Sequence, residues 1–130
     1  MAKNLVLLFN HSLTPAQEAE ARETLGVSNF LHPPESVREL WRNIPPEAET
    51  LAGYLAPVEE WVKEAAKPGD AVLIQGDFGA TCLMVRFARE IGLDPVYSTT
   101  ERRAVEEPQP DGSIRLIHHF RHKRFRRYGG

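Results

Sequence analysis

The segment that most constrains the fold of this chain is residues 71–81, Ala-Val-Leu-Ile-Gln-Gly-Asp-Phe-Gly-Ala-Thr. Its first half is a short apolar run, which is typical of a strand covered on both faces. Two glycines then indicate a tight turn, and a helical pattern follows. A strand, a glycine turn and a helix in this order build nucleotide and phosphate sites at the carboxyl edge of an open α/β sheet. The segment therefore predicts an α/β fold with a ligand site at that edge.

The rest of the chain alternates strands and helices, as such a sheet requires. Strands are predicted at residues 4–10, 29–32, 71–75 and 95–98, and helices at residues 15–25, 35–43, 51–65 and 80–91. Pro57 lies inside the third helical pattern and predicts a kink or two abutting helices. Pro110-Asp111-Gly112 is a turn signal, so strands 104–108 and 113–120 are predicted to form a β-hairpin before a basic tail at 121–130.

Length and composition set the class of protein. A chain of 130 residues is long enough for one core and too short for two, so residues 1–130 are predicted to form one domain. The alternation of strands and helices predicts that this domain is Rossmann-like, with an open, mostly parallel sheet flanked by helices. Apolar runs of about six residues are far below a membrane span. No secretory signal is recognisable, and the single cysteine, Cys82, lies on an apolar helical face where a buried thiol is expected. These features predict a cytoplasmic protein without a membrane partner.

The charge is distributed unevenly along the chain. Residues 1–100 carry a formal charge of −6 and residues 101–130 a charge of +4, and residues 118–128 contain no acid. A short basic stretch that also carries aromatic side chains, on an otherwise acidic body, favours a confined anionic ligand over a long nucleic-acid track.

Polar side chains follow three of the predicted apolar strands. Because the carboxyl ends of parallel strands meet at one edge, these residues are expected to converge on a ligand. The candidates for ligand binding are Asn10, Ser12, Gln75, Gly76, Asp77, Phe78, Gly79, Ala80, Thr81, Ser98, Thr99 and Thr100.

The glycine turn is the predicted cradle of that ligand. Gly76 and Gly79 would permit positive φ and close backbone approach, and the N–H groups at 79–81 would be donors at a helix start. Asp77 would repel a bare phosphate, so a nucleoside hydroxyl or amine suits it better. The alternative is that Asp77 and Thr81 only cap the helix.

Three further residues are candidates for catalysis. His11 directly follows the first strand and would serve as a general base or phosphate donor. Arg102 and Arg103 would stabilise charge on a phosphate. The alternatives are a histidine that only holds its loop and an exposed start of the hairpin. His118, His119 and His122 lack a cysteine or carboxylate placed to complete a zinc site, so no metal or other cofactor is predicted.

The residues just described resemble a known family. The chain resembles the small CRISPR-associated proteins named Csx-twenty. The resemblance lies in Leu-Leu-Phe-Asn-His at 7–11, the tryptophan at 41 with Ile-Pro-Pro at 44–46, the nine-residue block at 73–81, Tyr-Ser-Thr-Thr at 97–100 and the basic stretch at 120–128. The turn also resembles the ligand loop of CARF domains, in which Gly-Gly usually stands where Gly79-Ala80 stands here.

The resemblance implies a ring nuclease of type III CRISPR antiviral defence. Such proteins degrade the second messenger cyclic tetra-adenylate without a metal. A ribose 2′-hydroxyl attacks the adjacent phosphate and leaves a linear product with a 2′,3′-cyclic phosphate. The symmetric ligand would suit a homodimer with a CARF-like fold. Two alternatives stay open: a sensor or sink that binds cyclic oligoadenylate without cleaving it, and an RNA-binding accessory protein that uses the basic tail.

Overall fold

Two continuous apolar runs form the centre of the sheet. Residues 5–8 and 71–74 are buried and lie side by side as parallel strands. A computed structural model describes residues 2–130. Its elements in chain order are β1 (Lys3–Leu8), α1 (Pro15–Thr24), β2 (Val27–Leu31), α2 (Glu35–Arg42), α3 (Ala52–Ala65), β3 (Ala71–Ile74), α4 (Phe78–Glu90), β4 (Asp94–Pro108) and β5 (Ile114–Arg127).

The sheet is mixed and has the strand order β2-β1-β3-β4-β5. The first four strands in this order pair in parallel, and β5 pairs with β4 antiparallel. The predicted α/β sheet with flanking helices is confirmed. The expectation of a mostly parallel sheet is corrected, because a long fifth strand runs back along β4.

Helices cover both faces of the sheet. One face packs against α1, and its core contains Leu5, Leu7, Ala21, Val27, Ala71, Leu73, Val96 and Phe125. The other face packs against α2, α3 and α4, with Trp41, Leu55, Val58, Val62 and Met84 among its buried residues. The alternation of side chains along β1 explains this division, since successive residues point to opposite faces.

The strands β4 and β5 form one long ribbon. They pair from Val96 opposite Arg127 to Pro108 opposite Ile114, whereas β3 pairs only with residues 94–96 of β4. The sequence predicted two separate strands at 95–98 and 104–108, and a tail after residue 120. That prediction was wrong because the polar residues between them satisfy their backbone groups by pairing across the ribbon.

Two local predictions about helices are corrected. The helix α3 is a single element that includes Pro57, so two abutting helices do not form there, and this proline is exposed. Cys82 of α4 is also exposed rather than buried, because the buried side chains of that helix are Ala80, Met84, Val85 and Ala88.

One helix start was predicted in detail, and it is confirmed. Thr14 caps α1, Pro15 is its first residue, and Thr14 and Gln17 form the reciprocal bonds of a capping box. No helix within residues 2–130 is long and apolar enough to cross a membrane.

Candidate active site

The segment after β1 lies at the surface. Asn10, His11 and Ser12 are all exposed, and the His11 ring contacts only the edge of Phe9 among the aromatic rings, with centroids 5.5 Å apart. Asn10 borders a cleft of about 10 Å³ beside Trp41. That volume is about what one water molecule occupies, so the cleft does not accommodate a nucleotide.

The glycine turn is organised around a helix cap. The Asp77 carboxylate accepts a hydrogen bond from the Ala80 N–H at 3.0 Å, and the Thr81 N–H donates to the Asp77 carbonyl oxygen at 2.8 Å. Two of the three N–H groups that the sequence offered as ligand donors are therefore already bonded, since an N-cap residue satisfies the first free donors of its helix. The Thr81 hydroxyl oxygen is buried and has no hydrogen-bond partner within residues 2–130.

Gly76 is required by close packing rather than by its φ angle. A Cβ atom at this position would lie 2.9 Å from the Trp41 indole nitrogen, and that nitrogen donates to the Gln75 carbonyl oxygen at 3.0 Å. Positive φ angles occur at other glycines of residues 2–130, so the expectation of positive φ at Gly76 and Gly79 is corrected.

The side chain of Gln75 joins the end of β3 to the part of β4 just beyond their pairing. Its Oε1 accepts from the Ser98 N–H at 2.8 Å, which brings two of the three predicted segments together. Thr99 points to the opposite face of the ribbon from Ser98, as alternate strand residues must. Its hydroxyl donates to the Arg124 carbonyl oxygen at 3.1 Å.

The two candidate arginines are also separated by this alternation. The Arg102 guanidinium lies over the Phe120 ring at 5.7 Å, and Arg103 pairs with Glu101 at 2.5 Å on the other face. Hydrogen bonds from Lys123 and then Arg103 lower the pKa of Glu101 from its ordinary value to about 2. Arg102 and Arg103 therefore do not face one common site.

A cavity of about 490 Å³ lies between α1 and the ribbon and opens to the surface. Its walls combine hydroxyl, amide, acidic and basic side chains with one imidazole, and they consist of Thr14, Ala16, Gln17, Glu20, Ser98, Thr100, Phe120, Arg121, His122 and Lys123. Of the predicted ligand residues, Ser98 and Thr100 line this cavity. Phe78 and Thr81 instead line a groove on α4, together with Cys82 and Tyr128.

A chain of hydrogen bonds crosses the wall of the cavity. The Ser98 hydroxyl lies 2.5 Å from His122 Nδ1, and His122 Nε2 lies 2.9 Å from Glu20 Oε1. Glu20 Oε1 also accepts from the Phe125 N–H at 2.6 Å. Because an ionised carboxylate only accepts hydrogen bonds, Nε2 of a neutral His122 carries the proton and Nδ1 accepts from Ser98.

The sequence did not identify Glu20, His122 or Gln17 as site residues. Gln17 was assigned only to the capping box, although its amide also lies 3.4 Å from the Ser98 hydroxyl. A usable signal existed in the spacing, since Gln17 and Glu20 are three residues apart on one helix face. His122 also alternates with Phe120 and His118, as residues on one face of a strand do.

The arrangement has the chemistry of proton transfer. An imidazole with a hydroxyl on one nitrogen and a carboxylate on the other can take up a proton and stabilise the resulting cation. Arg121 and Lys123 border the same cavity, and the Lys123 ammonium is paired with Glu101 at 2.6 Å. Among residues 2–130, no group of three or more His, Cys, Asp and Glu side chains is placed to hold a metal ion.

Comparison with known proteins places the chain in a family. The model of the family described as "Uncharacterized protein MJ1673" matches residues 3–126. The chain belongs to the MJ1673 family. It is 48% identical over 124 residues to the protein of that description from Methanocaldococcus jannaschii, and the match covers 95% of each chain. No solved structure matches the chain.

Proposed function

We propose that the protein is a ring nuclease that binds and cleaves cyclic oligoadenylate, with cyclic tetra-adenylate as the substrate. The observation that carries this proposal is the cavity of about 490 Å³, which is bordered by hydroxyls, an imidazole and the cationic residue Arg121. These groups suit a ribose and its phosphate. Ser98 lines the cavity, and its backbone N–H is bonded to Gln75, which directly follows β3.

The reaction makes modest demands on such a site. In the proposed cleavage, the substrate supplies its own nucleophile, a ribose 2′-hydroxyl, and the product carries a 2′,3′-cyclic phosphate. The protein must align that hydroxyl with the phosphorus and stabilise the developing charge. Arg121 is suited to the second task because it borders the cavity, whereas the Lys123 ammonium is paired with Glu101. His11, Arg102 and Arg103 stay in the proposal as catalytic candidates.

The fold and the ribbon support the finer parts of the proposal. Four parallel strands with helices on both faces are the part of the sheet that a Rossmann-like, CARF-like protein would share. A cyclic ligand with repeated nucleotides suits a twofold homodimer. The ribbon supplies a surface for it, since Ile114, Leu116 and Phe120 are between 55% and 68% exposed. The protein would act in the cytoplasm, where it would switch off type III CRISPR signalling.

The deciding experiment is a single-turnover assay with excess protein, EDTA and each of the cyclic tri-, tetra- and hexa-adenylates. Chromatography with mass spectrometry should show linear products ending in a 2′,3′-cyclic phosphate, formed fastest from the tetra-adenylate. Arg121→Ala should lower the rate about a hundredfold or more, as loss of one preorganised donor does. Arg115→Ala is the matched control, because Arg115 lies on the same strand near its distal end.

Other outcomes would redirect the proposal. Intact cyclic tetra-adenylate that remains bound in a one-to-one ratio would indicate a sensor or sink. Affinity for linear RNA with a steep salt dependence, abolished by deletion of residues 121–130, would indicate an RNA-binding accessory protein. Unchanged substrate with no retained ligand would overturn the proposal.

A further inference from the structure

We propose that His122 is the proton acceptor of the cleavage step, that the Ser98 hydroxyl passes the proton to it, and that Glu20 is a positioning residue for the imidazole. The inference deepens the proposed function and rests on it. None of the residues predicted from the sequence to be catalytic belongs to this set.

The positions of the three side chains carry the inference. His122 has only 8% of its side chain exposed, and both of its ring nitrogens have partners. The Ser98 hydroxyl lies between Nδ1 of this ring and the amide of Gln17. Ser98 and His122 both border the cavity, so a hydroxyl of a bound ribose can reach the serine oxygen from the open side.

Glu20 fixes the imidazole in the form that can accept a proton. Its Oε1 accepts from both Nε2 of His122 and the backbone N–H of Phe125. When the Nε2–H group donates its hydrogen bond to Glu20, the proton stays on Nε2 and the lone pair of Nδ1 faces Ser98. The same carboxylate lies 2.9 Å from the ring, where it stabilises an imidazolium once the proton has been transferred.

A purely structural histidine is the competing explanation, and it leaves one feature unexplained. The bond between Glu20 and the Phe125 N–H already ties α1 to β5. An apolar side chain in place of the buried imidazole would avoid the desolvation of an ionisable pair. The second partner, the Ser98 hydroxyl, also accepts from the Gln17 amide of α1 at 3.4 Å, and that bond does not require the imidazole. The hydroxyl does provide a route for a proton from the cavity to the ring.

The proposed step balances as follows. The 2′-oxygen bonds to the adjacent phosphorus as its proton moves to the Ser98 oxygen, and the serine proton moves to Nδ1 of His122. The bond between phosphorus and the 5′-oxygen breaks, and the 5′-oxygen takes a proton from water. Imidazolium then returns its proton to solvent through Ser98. No oxidant, metal or additional reactant takes part.

The test compares His122→Asn with His118→Asn, a histidine substitution on the same strand, using cyclic tetra-adenylate in EDTA. General base catalysis contributes about a hundred- to ten-thousandfold, so His122→Asn should lower the single-turnover rate constant by that factor while the Kd changes less than about threefold. His118→Asn should behave as the wild type. A structural role would change melting temperature and affinity instead.

The pH dependence of the rate gives an independent readout. The charged groups that border the cavity with His122 are Glu20 from α1, which contacts the ring, and Arg121 and Lys123 from β5, of which Lys123 is paired with Glu101. The wild-type rate should rise with pH along a histidine limb as the imidazole loses its proton, and that limb should be absent in His122→Asn. If His122→Asn does not fold, the rate of the Ser98→Ala variant tests the proposal instead. This variant should fold, because it removes one hydroxyl from a partly exposed position.

Failure of this inference is distinguishable from failure of the proposed function. Wild-type protein that leaves the ring intact overturns both. Wild-type protein that cleaves the ring, together with a His122→Asn or Ser98→Ala rate within about threefold of the wild type, overturns only the role of the histidine and serine. A Ser98 covalently bound to phosphate, seen as an increase in protein mass, would also overturn it.

Discussion

His122 Nε2 lies 2.9 Å from Glu20 Oε1, although the two residues are 102 positions apart in the chain. The contact joins the single helix on one face of the sheet to the returning strand of the ribbon. Because Glu20 also binds the Phe125 N–H, the helix, the strand and the cavity wall between them form one hydrogen-bonded unit. The stability of this unit and the chemistry of the cavity are therefore coupled.

We expect Glu20→Ala to destabilise the protein by about 2–3 kcal/mol, because the largely buried Phe125 N–H and His122 Nε2 would lose a charged acceptor. Urea denaturation followed by circular dichroism measures this free energy. Glu23→Ala, at an exposed position of the same helix, is the control. Its free energy of unfolding should stay within about 0.5 kcal/mol of the wild-type value. Equal midpoints for the two variants would contradict the prediction.

The two glycines of the turn should respond in opposite ways to a methyl group. Gly76→Ala places a Cβ atom 2.9 Å from the buried Trp41 indole, and such overpacking costs about 1–3 kcal/mol. Gly79→Ala meets its neighbours at 3.5 Å or more, and alanine in a helix should gain up to about 1 kcal/mol. Thermal melting of both variants gives the comparison, and a stable Gly76→Ala would disprove the packing argument.

Substitutions of Asp77 separate its capping role from ligand binding. Asparagine caps helices about as well as aspartate, whereas alanine costs about 1 kcal/mol. Asp77→Asn should therefore keep the wild-type melting temperature and Asp77→Ala should lower it. If Asp77 also contacts the nucleotide, calorimetry will show weaker binding of cyclic tetra-adenylate to Asp77→Asn. Unchanged affinity in both variants would assign the residue to the cap alone.

Buried Asp70 should make stability depend on pH in the acid range. Its carboxylate accepts from the backbone N–H and the side-chain amide of Asn4 and from the backbone and ammonium of Lys67. Burial raises the pKa of Asp70, but these hydrogen bonds outweigh it and leave the pKa below its ordinary 3.8.

The sign of that dependence follows from the depressed pKa. The stabilisation is complete above the unfolded-state pKa near 4 and is lost as pH falls through the lower, folded-state value. The Asp70→Asn variant should be less stable than the wild type by about 1.5–3 kcal/mol at pH 7. Its free energy of unfolding should also fall less steeply below pH 4 than that of the wild type. Urea titrations at pH 7, 5, 4 and 3 measure both effects, and parallel curves for the two proteins would refute the assignment.

The exposed face of the ribbon should hold the proposed homodimer together. A two-stranded ribbon is marginally stable by itself, and Leu116 and Phe120 lie on its apolar face. Leu116→Ser combined with Phe120→Ser should shift the protein from dimer to monomer in sedimentation velocity while its far-ultraviolet spectrum stays the same. Arg115→Ser is the control on the opposite face, and a double variant that remains dimeric would exclude this surface.

Much of the sheet was predictable because its evidence is local. The apolar runs at 5–8 and 71–74 indicated buried strands, and Thr14, Pro15 and Gln17 marked the start of α1. The ribbon was only half predicted. Residues 99–103 are polar and give no strand signal, and they become strand because β5 supplies pairing partners from 16 to 25 positions away.

The sequence by itself determined the alternation of strands and helices, the polar ends of the central strands and the glycine turn after β3. It could not show that the turn closes on its own cap, because this depends on where the Asp77 side chain points. Only the tertiary structure brought Glu20, Ser98 and His122 together. Hydrogen bonds between residues of distant elements depend on register and on the packing of α1, and no local pattern in the chain encodes either.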